Sequence, residues 1–166
     1  MEPIKKTVKA RSKKMSVAIP AKEELEYEKD FSKWAKNQAK FLRNREFTKL
    51  DMGNLVEEIE DLSKRERDKL ASHLENLLMH KLKVKFQPGK HAKSWDLSIK
   101  AADHKVQKVL KENPSLKPKL KDIVKDAFFS ARLKAALETK LEEDTFPEEC
   151  PWSLKELFSD LEKKYL

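Results

Sequence analysis

One stretch constrains this chain more than any other. From Asp51 to about Phe86, apolar residues recur at the spacing of one helix face. At 100° per residue, Leu55, Ile59, Leu62, Leu70, Leu74, Leu77 and Val84 share one face, and Glu66, His73 and His80 share it too. Such a stretch forms a long amphipathic helix, and a helix of that length organises whatever packs beside it. Polar groups set into a buried face need partners. Glu66, His73 and His80 are therefore either contacts that specify the fold or parts of a site.

The rest of the chain agrees with an all-α fold, a bundle of about five helices around that long central one. Two glycines in 166 residues are too few for a turn-rich β protein. Pro3, Pro20 and the lack of a helical period mark residues 1–21 as a disordered tail, and residues 22–166 are expected to form a single helical domain. A first helix is predicted over about Lys22 to Arg45, with Tyr27, Phe31, Trp34, Gln38, Phe41 and Leu42 on its inner face. Asp51 is placed to cap the second helix, and Gln87-Pro88-Gly89 to end it. Ser94 is the expected cap of a third helix to Glu112, and Ser115 that of a fourth to Lys140. Ser153 with Glu156 reads as a capping box for a last helix over about Leu154 to Lys164.

Charge and composition bound the function classes. The net charge is +8, but Lys5, Lys6, Lys9, Arg11, Lys13 and Lys14 against Glu2 supply +5 of it, leaving a body at +3. A basic tail of this kind binds nucleic acid or anionic lipid non-specifically, or is simply solvated. Met15 is an alternative start that would remove most of the tail. No apolar run approaches the length of a membrane span, and no apolar core of a secretory signal is present. A single cysteine forms no internal disulfide, which suits a reducing compartment. The expectation is a cytoplasmic protein with no membrane association.

Four places have side chains that can carry chemistry. His73 and His80 lie on one helix face about 10 Å apart by rise, too far to chelate one metal together. Each could join a ligand from another helix, and the plainer reading is a core histidine bonded across the bundle. Glu57, Glu58 and Asp61 cluster with Asn54 near the start of the same helix, as oxygen ligands for Mg²⁺ or Mn²⁺ do, and as acidic residues favoured by the helix dipole also do. A hydrolase or nuclease reading takes His73 or His80 as base and Glu57, Glu58 and Asp61, with His80, as ligands. The loop from Gln87 to Trp95 presents Lys90 and Lys93 and ends in an indole, which either stacks on a base or anchors the loop in the core. Cys150 follows Glu148 and Glu149, whose charge disfavours a reactive thiolate. No glycine-rich phosphate loop or nucleophile elbow occurs, and nothing in the pattern requires a cofactor.

Several strings taken together resemble a known family. They are Tyr27-Glu28-Lys29-Asp30-Phe31 with Trp34 and Gln38, Leu50-Asp51 with Asn54 to Leu62, and Leu77-Leu78-Met79-His80 with Gln87-Pro88. Ser94-Trp95 with Ile99, Asn113-Pro114-Ser115-Leu116, and Phe146-Pro147-Glu148-Glu149-Cys150-Pro151-Trp152 complete them. In this order, about residues 25–160 resemble the bacterial family catalogued as domain of unknown function 29. The resemblance implies a small helical protein with no established reaction. It also implies that Glu57, Glu58, His80, Gln87, Pro88, Trp95 and Trp152 belong to the family pattern. The chain departs from that pattern at Lys81-Leu82-Lys83, where Leu-Leu-Lys is common.

Function is then open between three classes. The first is a non-catalytic interaction or regulatory module with a protein partner or a second copy. The second is nucleic-acid binding through the tail, Lys90, Lys93 and Trp95. The third is metal-dependent hydrolysis.

Overall fold

The computed structural model describes residues 26–158. The tail 1–21, the first residues of the predicted first helix and the last turns of the predicted final one lie outside them. Among the described residues the fold is all-α, with a long central helix and no strand. The helices are α1 (Phe31–Arg43), α2 (Met52–Phe86), α3 (Lys93–Glu112), α4 (Leu120–Thr139) and the short α5 (Leu154–Leu157). The described chain forms two compact units that divide between Glu60 and Asp61, within α2.

In the first unit, the predicted continuous first helix is broken. A helical turn at 26–29 stops at Asp30, whose carboxylate accepts from the Lys33 amide and starts α1 afresh. A competing side-chain acceptor is how Asp ends one helix and begins another. Trp34 and Gln38 are buried as expected, but Phe31 and Leu42 are exposed. Beyond α1, Arg45 takes a left-handed backbone (φ 59°), and a 3-10 turn over Phe47–Lys49 leads to α2. Asp51 caps α2: its Oδ1 accepts from the Asn54 amide at 3.3 Å.

The second unit holds the core. The C-terminal half of α2 buries Leu70, Leu74, Leu77, Leu78, Met79 and Leu82. From α3 come Ala102, Val106, Val109 and Leu110, and from α4 Ile123, Val124, Ala127, Phe128, Ala131 and Ala135. Cross-links set the helix directions. Arg67 pairs with Asp126, Glu75 with Lys134 and Lys83 with Glu138, so α2 and α4 run parallel. Glu66 meets Asn113 while Lys83 meets Trp95, so α3 runs antiparallel to α2. Short connections give this up-down-up order.

Further expectations about elements need correction. The stripe on α2 is buried only in its later part: Ile59 is 64% exposed and Leu62 57%. Periodicity selects the face a helix can bury, not the length over which a neighbour reaches it. Ser94 and Ser115 do not cap. The α3 helix starts one residue before Ser94, and Ser115 sits in a 3-10 segment, Pro114–Lys119, that precedes α4. Proline at 114 and 118 removes the amides that an α-helix would use there. The Ser153–Glu156 capping box is formed in both directions.

Candidate functional site

Two polar constellations stand out in the second unit, one in a groove and one at the end of α2.

The groove lies between α2 and α3. His73, Asn76 and His80 follow at i, i+3 and i+7 on α2, and face Ser98 and Lys105 on α3. Ala101 and Ala102 line it as well, and their small side chains leave about 200 Å³ where larger residues would interdigitate. His80 is half-buried, and its Nδ1 is buried without a hydrogen-bond partner among the described residues. A polar atom in that position carries a desolvation penalty that no described residue offsets. Burial, then the Lys105 and Lys69 ammoniums, pull the His73 pKa below the ordinary imidazole value. Burial and then Lys83 lower that of His80, against a smaller upward pull from Glu138. Both shifts favour the neutral imidazole. The expected bond across the bundle is absent at His80 Nδ1. Glu66 accepts from Asn113 at the end of α3 (3.1 Å) and pairs with Lys69 on its own helix (3.6 Å).

At the end of α2, the Lys83 ammonium is buried between the Trp95 ring, 4.5 Å from its centroid, and Glu138 at 2.5 Å. Gln87 donates through Nε2 to the Thr139 carbonyl at 3.1 Å, closing one of the open carbonyls at the α4 C-terminus. Lys81 and Lys85 both lie over the Trp152 ring, each 5.5 Å from its centroid. Phe86 stands edge-on to the buried Phe146 at 5.3 Å. The alternation Lys81, Lys83, Lys85 thus feeds two indoles. Gln87, Trp95 and Trp152 fasten the strap after α4 and the start of α3 to one helix end.

The remaining candidates are placed as follows. Lys90 and Lys93 are exposed, and the loop between them is held by His91 Nε2 and Asp96 Oδ1 at 2.9 Å. Glu57 and Asp61 are exposed. Glu58 accepts from the Tyr27 hydroxyl at 2.7 Å within the first unit. Among the described residues no group of three or more His, Cys, Asp or Glu side chains converges as a metal site. Cys150 Sγ faces the Trp152 carbonyl at 3.6 Å, and its thiol pKa is raised chiefly by burial. The acidic neighbours Glu148 and Glu149 are not among the causes; Glu156 contributes a small upward pull and Lys81 a downward one. The basic residues from Lys5 to Lys14 lie outside the described residues.

Sequence reasoning missed the first unit's polar knot. Asp51, 1% exposed, accepts from Trp34 Nε1 at 3.1 Å and from Asn54 Nδ2 at 2.7 Å, while its amide donates to Gln38 Oε1 at 2.9 Å. The signal was available: Trp34 and Gln38 share a face of α1, and both have groups that must be satisfied when buried.

A family model described as a domain of unknown function, DUF29, matches residues 26–162. The chain belongs to that family. The match takes in both units and both indoles of the α2 end. No curated protein and no solved structure matches the chain. Among the described residues no helix is long and apolar enough to cross a membrane.

Proposed function

We propose that this DUF29 protein is a non-catalytic interaction module that associates with a second copy of itself through the outer face of α4. The observation that carries this is a stripe of large apolar side chains on a helix whose opposite face is already the core. Phe129 is 63% exposed, Leu137 78%, and Leu133 lies between them, one turn from each. With Asp126 they fall within an arc of about 80° at 100° per residue.

The stripe is self-complementary. Two α4 helices laid antiparallel about Leu133 set Phe129 of one against Leu137 of the other. The same register brings Asp126, exposed beside Arg67, level with the exposed Lys140 that follows the helix end. This is an isologous contact, as a two-fold dimer requires. Each helix is about 30 Å long, so the contact falls below the roughly 1,600 Å² of a standard interface. The dimer is weak and depends on concentration.

Sedimentation velocity over a concentration series tests the proposal. Self-association is expected in the full chain, lost in Leu137→Lys, weakened in Asp126→Lys and recovered in Asp126→Lys with Lys140→Asp. A chain that stays monomeric throughout, or a Leu137→Lys variant that associates like the wild type, overturns it. Leu137 is so exposed that the substitution leaves the core untouched.

The nucleic-acid reading uses the basic tail, Lys90 and Lys93 with Trp95 as a stacking platform, and one face of that ring already holds Lys83. The hydrolase reading needs converging oxygen ligands, and no observation favours it over self-association.

A further inference from the structure

We propose that the groove between α2 and α3 is a binding site for a small oxyanion, a phosphate or the phosphoryl end of a phosphate ester. This site is independent of the α4 face.

The lining decides the sign of the ligand. His73, Asn76, His80, Ser98 and Lys105 each have a hydrogen-bond donor or can present one, and no carboxylate lines the groove. A cation there would meet the Lys105 ammonium and no counter-charge. An anion would meet that ammonium, a hydroxyl, a carboxamide and two imidazoles. The rings of His73 and His80 both line the groove, and a neutral imidazole has one N–H, so each ring can donate to a ligand oxygen. Size fixes the class. Drug-sized ligands occupy roughly 300–1,000 Å³, and a groove of about 200 Å³ takes a tetrahedral oxyanion with little attached. The alanines at 101 and 102 make the room, since any longer side chain there would fill it.

The lysines that lower the histidine pKa values also predict how binding responds to pH. His73 faces Lys69 on its own helix and Lys105 on α3; His80 faces Lys83 on its own helix and Glu138 on α4. A bound anion offsets the lysines, favours protonated imidazole and raises both pKa values. Binding therefore takes up protons and tightens as pH falls towards 6.

The experiment is an NMR titration of the full chain, following the imidazole Hε1 resonances of His73 and His80. The probes are inorganic phosphate and, separately, glycerol 3-phosphate. Saturable shifts at both histidines, with pKa values that rise on saturation, are expected from at least one probe. Saturation by both identifies the phosphoryl group itself as the ligand, and saturation by glycerol 3-phosphate alone identifies a phosphate ester. Lys105→Gln, an exposed position where the fold is not at risk, should weaken binding about tenfold, the effect of roughly 1.4 kcal/mol. Ser98→Ala should weaken it less. No saturable shift up to about 10 mM of either probe, ten times a millimolar dissociation constant, overturns the proposal. So does a Lys105→Gln variant that binds as the wild type does.

Discussion

Lys83 is buried against the face of Trp95 while its ammonium pairs with Glu138, so one side chain of α2 ties together α3 and α4. Three contacts accommodate a lysine at this buried position. Its stem packs on apolar surface, its charge meets a ring quadrupole, and a carboxylate that is still 47% exposed supplies the counter-charge.

Lys83→Met is expected to cost about 1–2 kcal/mol, since Glu138 can return to water and loses little. Trp95→Ala should cost about 3 kcal/mol, because it removes an aromatic anchor and strips the lysine of its cover. A double-mutant cycle in urea should return a coupling of about 1 kcal/mol between the two. Strict additivity would mean that the stacking contributes nothing.

Asp51→Ala removes the acceptor for Trp34 Nε1 and for the first turn of α2 at once. A loss of about 2–3 kcal/mol is expected, from a buried donor left open and a cap deleted. Hydrogen exchange should localise the change to α1 and the start of α2. Uniform loosening of the second unit as well would contradict it.

Stability should fall with acid because of His73 and His80. Their folded pKa values lie below the ordinary 6.5. The unfolded chain therefore binds more protons as pH drops below 6.5, and unfolding is favoured until the lowered folded values are passed. Urea midpoints measured from pH 7.5 to 5 should decline below 6.5, and the decline should be shallower in His73→Gln with His80→Gln. A variant with an unchanged slope would assign the effect to other groups.

Arg45 terminates its helix with φ 59°, a conformation that disfavours any residue with a Cβ. Arg45→Gly should raise stability by about 0.5–1 kcal/mol, read as a higher thermal midpoint. A destabilised variant would show that the guanidinium makes a contact worth more than the strain.

Cys150 should react slowly with iodoacetamide at pH 8, because burial raises its pKa and so lowers the thiolate fraction. Unfolding in urea should restore the rate of a free thiol. Fast alkylation in the folded protein would mean the thiol is exposed by local opening.

The sequence by itself determined the elements: α2 and its end at Gln87, the ends of α3 at Glu112 and of α4 near Lys140, the Asp51 cap, the Ser153 capping box and the family. Each rests on local rules, a period of 3.6 residues, a proline that cannot donate, a side chain that reaches an amide three residues on. The tertiary structure alone decided which faces found partners. Ile59 and Leu62 share a stripe with Leu70 and Leu74, yet the first two are exposed and the last two fully buried. Burial needs a neighbouring helix at the right height, and sequence period carries no information on that. The same reason hid the ring under Lys83 and the empty place beside His80. Both depend on a residue of α3 brought alongside α2 by antiparallel packing, and no spacing within either helix records which residues of the other will stand opposite.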